Sequence, residues 1–203
     1  AEYLHLLAGG QMNEENPRRW RLVGQGMGIP WEEGGGNQLS LDHLFLDQDG
    51  IPTLVEVKRS TVTRIRREVV GQMFEYAAYA VSYWPVENLR ARFEARCQMT
   101  GAEPEEILAS FLGSETDVRT DPEEYWQQVK TNLQAGRIRM LFVADEIPFQ
   151  LHRIAEFLNK QMSETEVLAV EVKQYIGESL QTLVPRVIGQ TTQTQQRKAP
   201  GKR

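Results

Sequence analysis

The feature that most constrains the fold is a predicted β-hairpin in the first third of the chain. The stretch LSLDHLFLDQDGIPTLVEVKRS contains two runs rich in β-branched and large apolar residues, and Asp49-Gly50 lies between them. This dipeptide is typical of tight turns that join antiparallel strands. The stretch therefore predicts a hairpin, and with it a β-sheet.

Two registers of this hairpin are open, and they differ in which residue faces Asp42. A two-residue loop, Asp49-Gly50, would place Asp42 opposite Val57, whereas a three-residue loop, Gln48-Asp49-Gly50, would place it opposite Glu56. The longer loop requires a left-handed conformation at its third residue, which glycine adopts at little cost. The turn chemistry therefore permits the register in which two carboxylates are neighbours.

The tripeptide Glu-Val-Lys occurs twice, as Glu56-Val57-Lys58 and as Glu171-Val172-Lys173. Alternate side chains of a strand share a face, so each glutamate lies beside its lysine. The second copy has no strand just upstream with an aspartate in hairpin register, and Asp145 better suits the N-terminus of a helix. We interpret the second copy as the solvated face of a late strand.

The rest of the chain predicts an α/β domain with a mixed central sheet and helices on both faces. Glu2 to Leu7 resembles the end of a helix stopped by Gly9-Gly10, and Gly24, Gly26 and Gly28 are interpreted as turn residues after a short strand. The further expected elements are a helix at 64–83, an acidic helical insertion at 84–134 with helices at 104–112 and 122–133, a strand in RIRMLFVAD, a helix from about 148 to 160, and strands in EVLAVEVKQY and SLQTLVPRVIG. We expect one domain over 1–190 and a flexible basic tail over 191–203.

The composition is that of an ordinary globular chain of 203 residues with a net charge of −5. No apolar run approaches the roughly 18 residues that a membrane helix needs, and no secretory leader is recognisable. The single cysteine, Cys97, excludes an internal disulfide and fits a reducing, cytoplasmic setting. Positive charge is local, because five basic residues and no acid lie between 58 and 67: Lys58, Arg59, Arg64, Arg66 and Arg67. Such a group can hold phosphates without reading bases.

In the register that pairs them, Asp42 and Glu56 would converge with Lys58. Two carboxylates and a backbone carbonyl suit a hard divalent ion such as Mg²⁺, and a neighbouring lysine can orient a water or stabilise developing charge. His43 alternates with Asp42 and should point to the other face. A hairpin with a weak surface ion pair is the simpler alternative on spacing alone.

A helix after the hairpin adds a third motif. GQMFEYAAYA places Gln72 and Tyr76 four residues apart, on one helical face. Asp42, then Glu56-Val57-Lys58, then Gln72 and Tyr76 together resemble the PD-(D/E)XK nuclease superfamily with its restriction-endonuclease-like fold, and its RecB-type branch with a Gln-x-x-x-Tyr helix in particular. The likeness is tight over residues 39–79, about a fifth of the chain, and loose up to about residue 189.

The resemblance implies an αβββαβ core and hydrolysis of DNA phosphodiester bonds with Mg²⁺ or Mn²⁺. It implies that Asp42, Glu56 and the Val57 carbonyl bind the metal, that Lys58 positions or activates the attacking water, and that Gln72 and Tyr76 brace the site and touch the DNA backbone. Many relatives carry a further glutamate on the first helix. Glu2 and Glu33 are the candidates here, and Leu41 stands where the motif often has proline.

We therefore expect a metal-dependent deoxyribonuclease in DNA repair, recombination or defence, with DNA as its partner, no membrane partner and a homodimer as a reasonable assembly. The alternative is a non-catalytic module of the same fold that binds DNA or a protein. An RNA substrate is a third interpretation that the sequence leaves open, together with the choice between endonuclease and exonuclease action.

Overall fold

A computed structural model of the chain describes residues 4–30, 37–59, 68–113, 121–177 and 180–190. Six strands form one sheet: β1 (Trp20–Pro30), β2 (Asn37–Asp47), β3 (Pro52–Lys58), β4 (Arg139–Ala144), β5 (Glu166–Ile176) and β6 (Gln181–Ile188). The helices are a 3-10 helix (Leu4–Leu7), α1 (Gly9–Met12), α2 (Val70–Tyr83), α3 (Val86–Met99), α4 (Pro104–Leu112), α5 (Pro122–Gln134) and α6 (Phe149–Gln161). Within the described residues no helix is long and apolar enough to cross a membrane.

The sheet is mixed, as the sequence predicts, and its strands follow one another in chain order from β1 to β6. Strands β1, β2 and β3 are antiparallel neighbours, β3, β4 and β5 are parallel, and β6 returns antiparallel to β5. The parallel strands need crossover connections, which the helical segment between β3 and β4 and helix α6 supply. The C-terminal ends of β3, β4 and β5 therefore lie at one edge of the sheet.

Helices lie on both faces of the sheet, as expected, but they cover the two faces unequally. The larger core packs one face against α2 to α6. The smaller core covers the other face, where the described helical residues are those of the 3-10 helix and α1. The sequence did not show this inequality, because the apolar stripe of a helix does not specify which face of a sheet it meets.

The hairpin of β2 and β3 has the register that the three-residue loop predicts. His43 pairs with Val55 and Leu46 with Pro52, and the Asp47 N–H donates to the Ile51 carbonyl at 3.3 Å. Gly50 has φ 69°, the left-handed conformation expected at the third loop position. One further step along this register places Asp42 opposite Glu56, so the register prediction is confirmed.

Helix α5 fixes the turn of this hairpin from outside. The Asn132 amide donates to the Asp49 carbonyl at 2.9 Å and to the Gly50 carbonyl at 3.0 Å, and the Tyr125 hydroxyl donates to the Asp47 carbonyl at 2.7 Å. The helices predicted between 84 and 134 are present, and they belong to the main core. This segment therefore supports the hairpin and packs in the main core.

The glycines of β1 lie in a strand, which corrects their interpretation as turn residues. β1 continues to Pro30, and its register against β2 shifts between Leu22 and Gly24. Gly26 has φ 55°, and a Cβ on Gly24 would lie 2.5 Å from the Met27 sulfur. Bulges and close contacts of this kind demand glycine inside a strand as well as in turns.

Two predicted helix ends also differ from the structure. Gly9 and Gly10 form the first residues of α1 instead of stopping the helix before them. Helix α6 begins after Pro148, which serves as its N-cap residue, so Asp145 does not cap it. Proline presets the backbone angle of a helix start and lacks the N–H that would need a partner there.

Candidate functional site

The candidate site lies where β2 and β3 part at the end of their hairpin. Their pairing ends at His43 and Val55, and the Asp42 carboxylate then accepts the Val57 N–H at 2.8 Å. The N–H and C=O groups of a strand residue point to the same neighbouring strand. The Val57 carbonyl is therefore also directed to the side where Asp42 lies.

Glu56 is the most buried acid of the site, with 2% of the residue exposed. One of its oxygens, Oε1, lies 2.6 Å from the Lys58 Nζ. The other, Oε2, is buried and has no hydrogen-bond partner among the described residues. Burial raises the pKa of Glu56 above its ordinary value, although the hydrogen bond from Lys58 acts in the opposite direction. A buried carboxylate oxygen without a donor destabilises the metal-free protein and provides a free ligand atom.

Lys58 is a cation held against Glu56 with its outer part in solvent. The hydrogen bond to Glu56 raises the pKa of Lys58, and partial burial lowers it by less. The side chain is therefore an ammonium group at neutral pH, and in that form it donates hydrogen bonds and accepts none. It can orient a water or stabilise an anion, but it cannot take a proton.

Helix α2 meets the site through Tyr76. The Gln72 amide donates to the Tyr76 hydroxyl, which in turn donates to the Ser40 carbonyl of β2 at 2.8 Å. Burial, together with the nearby Glu56 charge, raises the pKa of Tyr76 to about 12, so the hydroxyl stays protonated. Because Ser40 and Asp42 lie two residues apart on one face, this contact holds α2 beside the carboxylate pair.

The donor atoms of this site fit a hard cation. The possible metal ligands are all oxygen atoms: the Asp42 carboxylate, the Val57 carbonyl, and the Glu56 Oε2, which has no hydrogen-bond partner among the described residues. In the described part of the chain there is no cluster of three or more His, Cys, Asp or Glu side chains that could hold a metal ion. Two carboxylates with one carbonyl suit Mg²⁺, which keeps several waters and needs few protein ligands.

The second Glu-Val-Lys copy is close to the first, and its glutamate is not solvated as the sequence suggested. Lys58 pairs with Ala144 and Ala144 with Glu171, so both copies reach the same edge of the sheet. Glu171 is only 7% exposed, and it accepts the Ile147 N–H at 3.0 Å. It thus fixes the loop that follows β4. The burial of Glu171 could be recognised from the sequence only if the parallel pairing of β3, β4 and β5 were already known.

The remaining predicted residues divide into three groups. Arg59 is exposed directly after Lys58, and His43 stacks on Phe45 on the opposite face of the sheet from Asp42, as predicted. Cys97 is buried, and burial raises its pKa, which disfavours a nucleophilic thiolate. The residues Glu2, Glu33, Arg64, Arg66 and Arg67 and the tail at 191–203 lie outside the described residues. The structural role of the Ser40 carbonyl left no signal in the sequence.

Comparison with protein-family models, with curated proteins and with solved structures gave no match. The function of the site is therefore argued from its own residues.

Proposed function

We propose that the chain is a Mg²⁺-dependent nuclease that hydrolyses phosphodiester bonds of DNA. The observation that carries the proposal is the buried Glu56 Oε2, which has no hydrogen-bond partner among the described residues. It belongs to a glutamate that pairs with Lys58 through Oε1 and lies beside Asp42 of the neighbouring strand. A solvated surface ion pair would leave no buried oxygen without a partner. The chain order of three strands, four helices and a further strand is compatible with the core that the PD-(D/E)XK resemblance implies, with α2 as the helix that follows the third strand.

Each residue of the site has a role that follows from its state. Asp42, Glu56 and the Val57 carbonyl would hold the metal, which when bound would polarise a phosphoryl oxygen and lower the pKa of a bound water. The Lys58 ammonium donates to the attacking water or to a phosphoryl oxygen as negative charge develops. Gln72 and Tyr76 keep α2 against β2 and so keep Asp42 in place.

The substrate follows from the ligands and the surrounding charge. An all-oxygen metal site with an adjacent ammonium matches the charge distribution of a phosphodiester undergoing hydrolysis. The exposed Arg59 extends the positive charge beyond Lys58 along the chain. A net charge of −5 leaves this region as a local cationic area on an acidic protein, which suits binding to a phosphate backbone at one place only.

The test is metal-dependent cleavage by the purified chain. Mg²⁺ or Mn²⁺ is titrated against linear, nicked, branched and single-stranded DNA, with RNA of the same sequence in parallel, and the products are resolved on a gel. Wild type is compared with Glu56→Ala and with Glu94→Ala. Glu94 is a matched control because it is also ion-paired, 2.9 Å from Arg90, but lies on α3.

Metal-dependent cutting that is lost in Glu56→Ala and kept in Glu94→Ala would support the proposal. Cutting of RNA alone would support metal-dependent phosphodiester hydrolysis but would make RNA, not DNA, the substrate. Binding of DNA without cutting by the wild type in either metal would overturn the enzymatic proposal and favour the binding module.

A further inference from the structure

A two-stranded ribbon projects from the sheet beside the candidate site. Strands β3 and β4 end at Lys58 and Ala144, at the level of Glu171 in β5. β5 continues to Ile176 and stays paired with β6 over this length, from Glu171 opposite Arg186 to Ile176 opposite Gln181. We call these two paired segments the β5–β6 ribbon. A strand rises about 3.3 Å per residue, so the five residues of β5 after Glu171 extend about 16 Å beyond the ends of β3 and β4.

One side of the ribbon faces the same way as the site. Residues paired across neighbouring strands share a face, so Glu171 is on the face of Lys58, and Lys173 and Tyr175 follow on that face by alternation. Two strand spacings separate Lys58 from Glu171, or about 10 Å between their backbones. The residue between them is Ala144, whose short side chain does not project between Lys58 and Glu171. The site and the ribbon therefore face the same way, and the loop that follows β4 lies beside Glu171 between them.

This side carries two cations and an aromatic ring, together with the exposed Val184, which pairs with Lys173. Lys173 and Arg186 are partly or largely solvent-exposed, and their head groups lie 3.9 Å and 3.3 Å from Glu171. Glu171 also accepts the Ile147 N–H, so its single charge is shared among three donors. Tyr175 is exposed further along the same side. Two cations followed by an exposed aromatic ring can hold a phosphate backbone and stack on a base or sugar.

At the base of the ribbon, the outer edge of β6 is closed to strand addition by a protein. The Gln11 side chain donates to the Pro185 carbonyl at 2.9 Å and accepts the Val187 N–H at 2.9 Å, so it occupies the outer edge of β6 there. Pro185 itself has no N–H to offer a further strand. The opposite side of the ribbon carries exposed Ile176 and Leu183, which have no charge to complement a phosphate. The charge favours nucleic acid on the site-facing side.

We propose that the site-facing side of the β5–β6 ribbon binds the sugar-phosphate backbone of DNA next to the bond placed in the site. Lys173 and Arg186 contact phosphates, and Tyr175 stacks on a base or sugar. This inference rests on the proposed nuclease function for its choice of DNA. A two-stranded ribbon of this length also has the dimensions of an element that enters a DNA groove.

The test separates binding from cleavage. Equilibrium binding of a duplex, of a single DNA strand and of RNA is measured in EDTA and in Ca²⁺ as a function of salt, for wild type, Lys173→Gln/Arg186→Gln and Tyr175→Ala. The control is Lys130→Gln/Arg137→Gln. Lys130 is 44% exposed at its side chain and 3.8 Å from Glu87, whereas Lys173 is 45% exposed and 3.9 Å from Glu171. Arg137 pairs with Glu164 at the opposite end of the parallel strands.

We expect the ribbon double variant to bind DNA at least tenfold more weakly and to lose about two units of salt slope, one per phosphate contact. Tyr175→Ala should lose about tenfold in affinity with the slope unchanged, because stacking is not ionic. Melting temperatures verify that the variants fold.

Unchanged affinity and slope in both ribbon variants would overturn the ribbon proposal, as would a change confined to the oligomeric state, which would make the ribbon a contact between copies. Ribbon-dependent DNA binding by a wild type that cuts nothing would support the ribbon and overturn the nuclease. Ribbon-dependent binding of RNA alone would support the ribbon as a nucleic-acid-binding surface but would overturn the choice of DNA. No binding of any nucleic acid by wild type would overturn both proposals.

Discussion

At the scale of single residues, Glu56 shows how function and stability conflict. Its carboxylate is nearly inaccessible, one oxygen has no donor among the described residues, and burial raises its pKa despite the neighbouring Lys58. Burial in the metal-free fold therefore makes this side chain harder to ionise than in the unfolded chain. Such a group is costly in the absence of a cation, which explains its presence better as a ligand than as a stabilising residue.

We predict that Glu56→Gln stabilises the metal-free protein at neutral pH. The folded pKa of Glu56 is raised above 4.5, so the ionised form is penalised above that raised pKa, and the penalty disappears as pH falls through it toward 4.5. The gain in melting temperature, measured in EDTA, should therefore be largest at neutral pH and vanish near pH 4.5. A glutamine variant that is less stable than wild type at every pH would contradict this assignment.

We predict that Lys58→Ala lowers the cleavage rate about 10²–10³-fold, the effect of removing one donor aimed at developing charge. DNA binding should change little, because the phosphate contacts proposed for the β5–β6 ribbon do not involve Lys58. Lys130→Ala, which also removes an ion-paired lysine, should cleave at the wild-type rate. Single-turnover assays at saturating DNA make the comparison, and an equal rate in Lys58→Ala would remove Lys58 from the chemistry.

At the scale of elements, the hairpin register is the part of the site that the sequence could predict. The third loop position needs a left-handed backbone conformation, which glycine adopts at little cost. Gly50 therefore permits the three-residue loop, and this loop pairs Asp42 with Glu56. The burial of Glu171 could not be predicted, because it depends on long-range parallel pairing with β4. The glycines of β1 were predicted to be turn residues because glycine is common both in turns and in strand bulges, and the sequence does not distinguish the two.

Asp47 holds this register in place at the other end of the hairpin. Its Oδ1 accepts the N–H groups of Asp49 and Ile51, at 3.0 Å and 2.9 Å, and its Oδ2 lies 3.1 Å from the Arg139 guanidinium. Both Asp47 and Arg139 are buried. The same side chain therefore ties the three-residue loop to β4.

We predict that Asp47→Ala destabilises the fold by about 3–5 kcal/mol, because it leaves a buried arginine short of a partner. Asp47→Asn should cost less, since its amide oxygen can still accept the loop N–H groups. Asp49→Asn, in the same turn but more exposed, should cost no more than about 1 kcal/mol. Urea unfolding of the three variants tests the order, and equal losses at the two positions would show that Asp47 is not the anchor.

At the scale of the whole molecule, the sheet separates stability from proposed function. The ion pairs of Arg139 with Asp47 and Glu166 lie at the start of the parallel strands, whereas Glu56, Lys58 and Glu171 lie at their ends. The mixed sheet was predictable from the order of apolar runs. The unequal helical covering of the two faces was not, because the apolar stripe of a helix does not specify which face of a sheet it covers.

This separation predicts how a metal ion should stabilise the whole molecule. A cation bound by Asp42 and Glu56 in the folded state alone stabilises it by about 2.7 kcal/mol at a concentration of 100 Kd. The melting temperature should rise with Mg²⁺, Mn²⁺ or Ca²⁺ in wild type and in Lys130→Ala, and stay constant in Glu56→Gln and Asp42→Asn. Asp47→Asn should start from a lower melting temperature and gain by the same free energy, because its defect lies at the other end of the strands. A metal response in Glu56→Gln equal to that of wild type would place the cation elsewhere in the chain and remove the central support of the proposed nuclease.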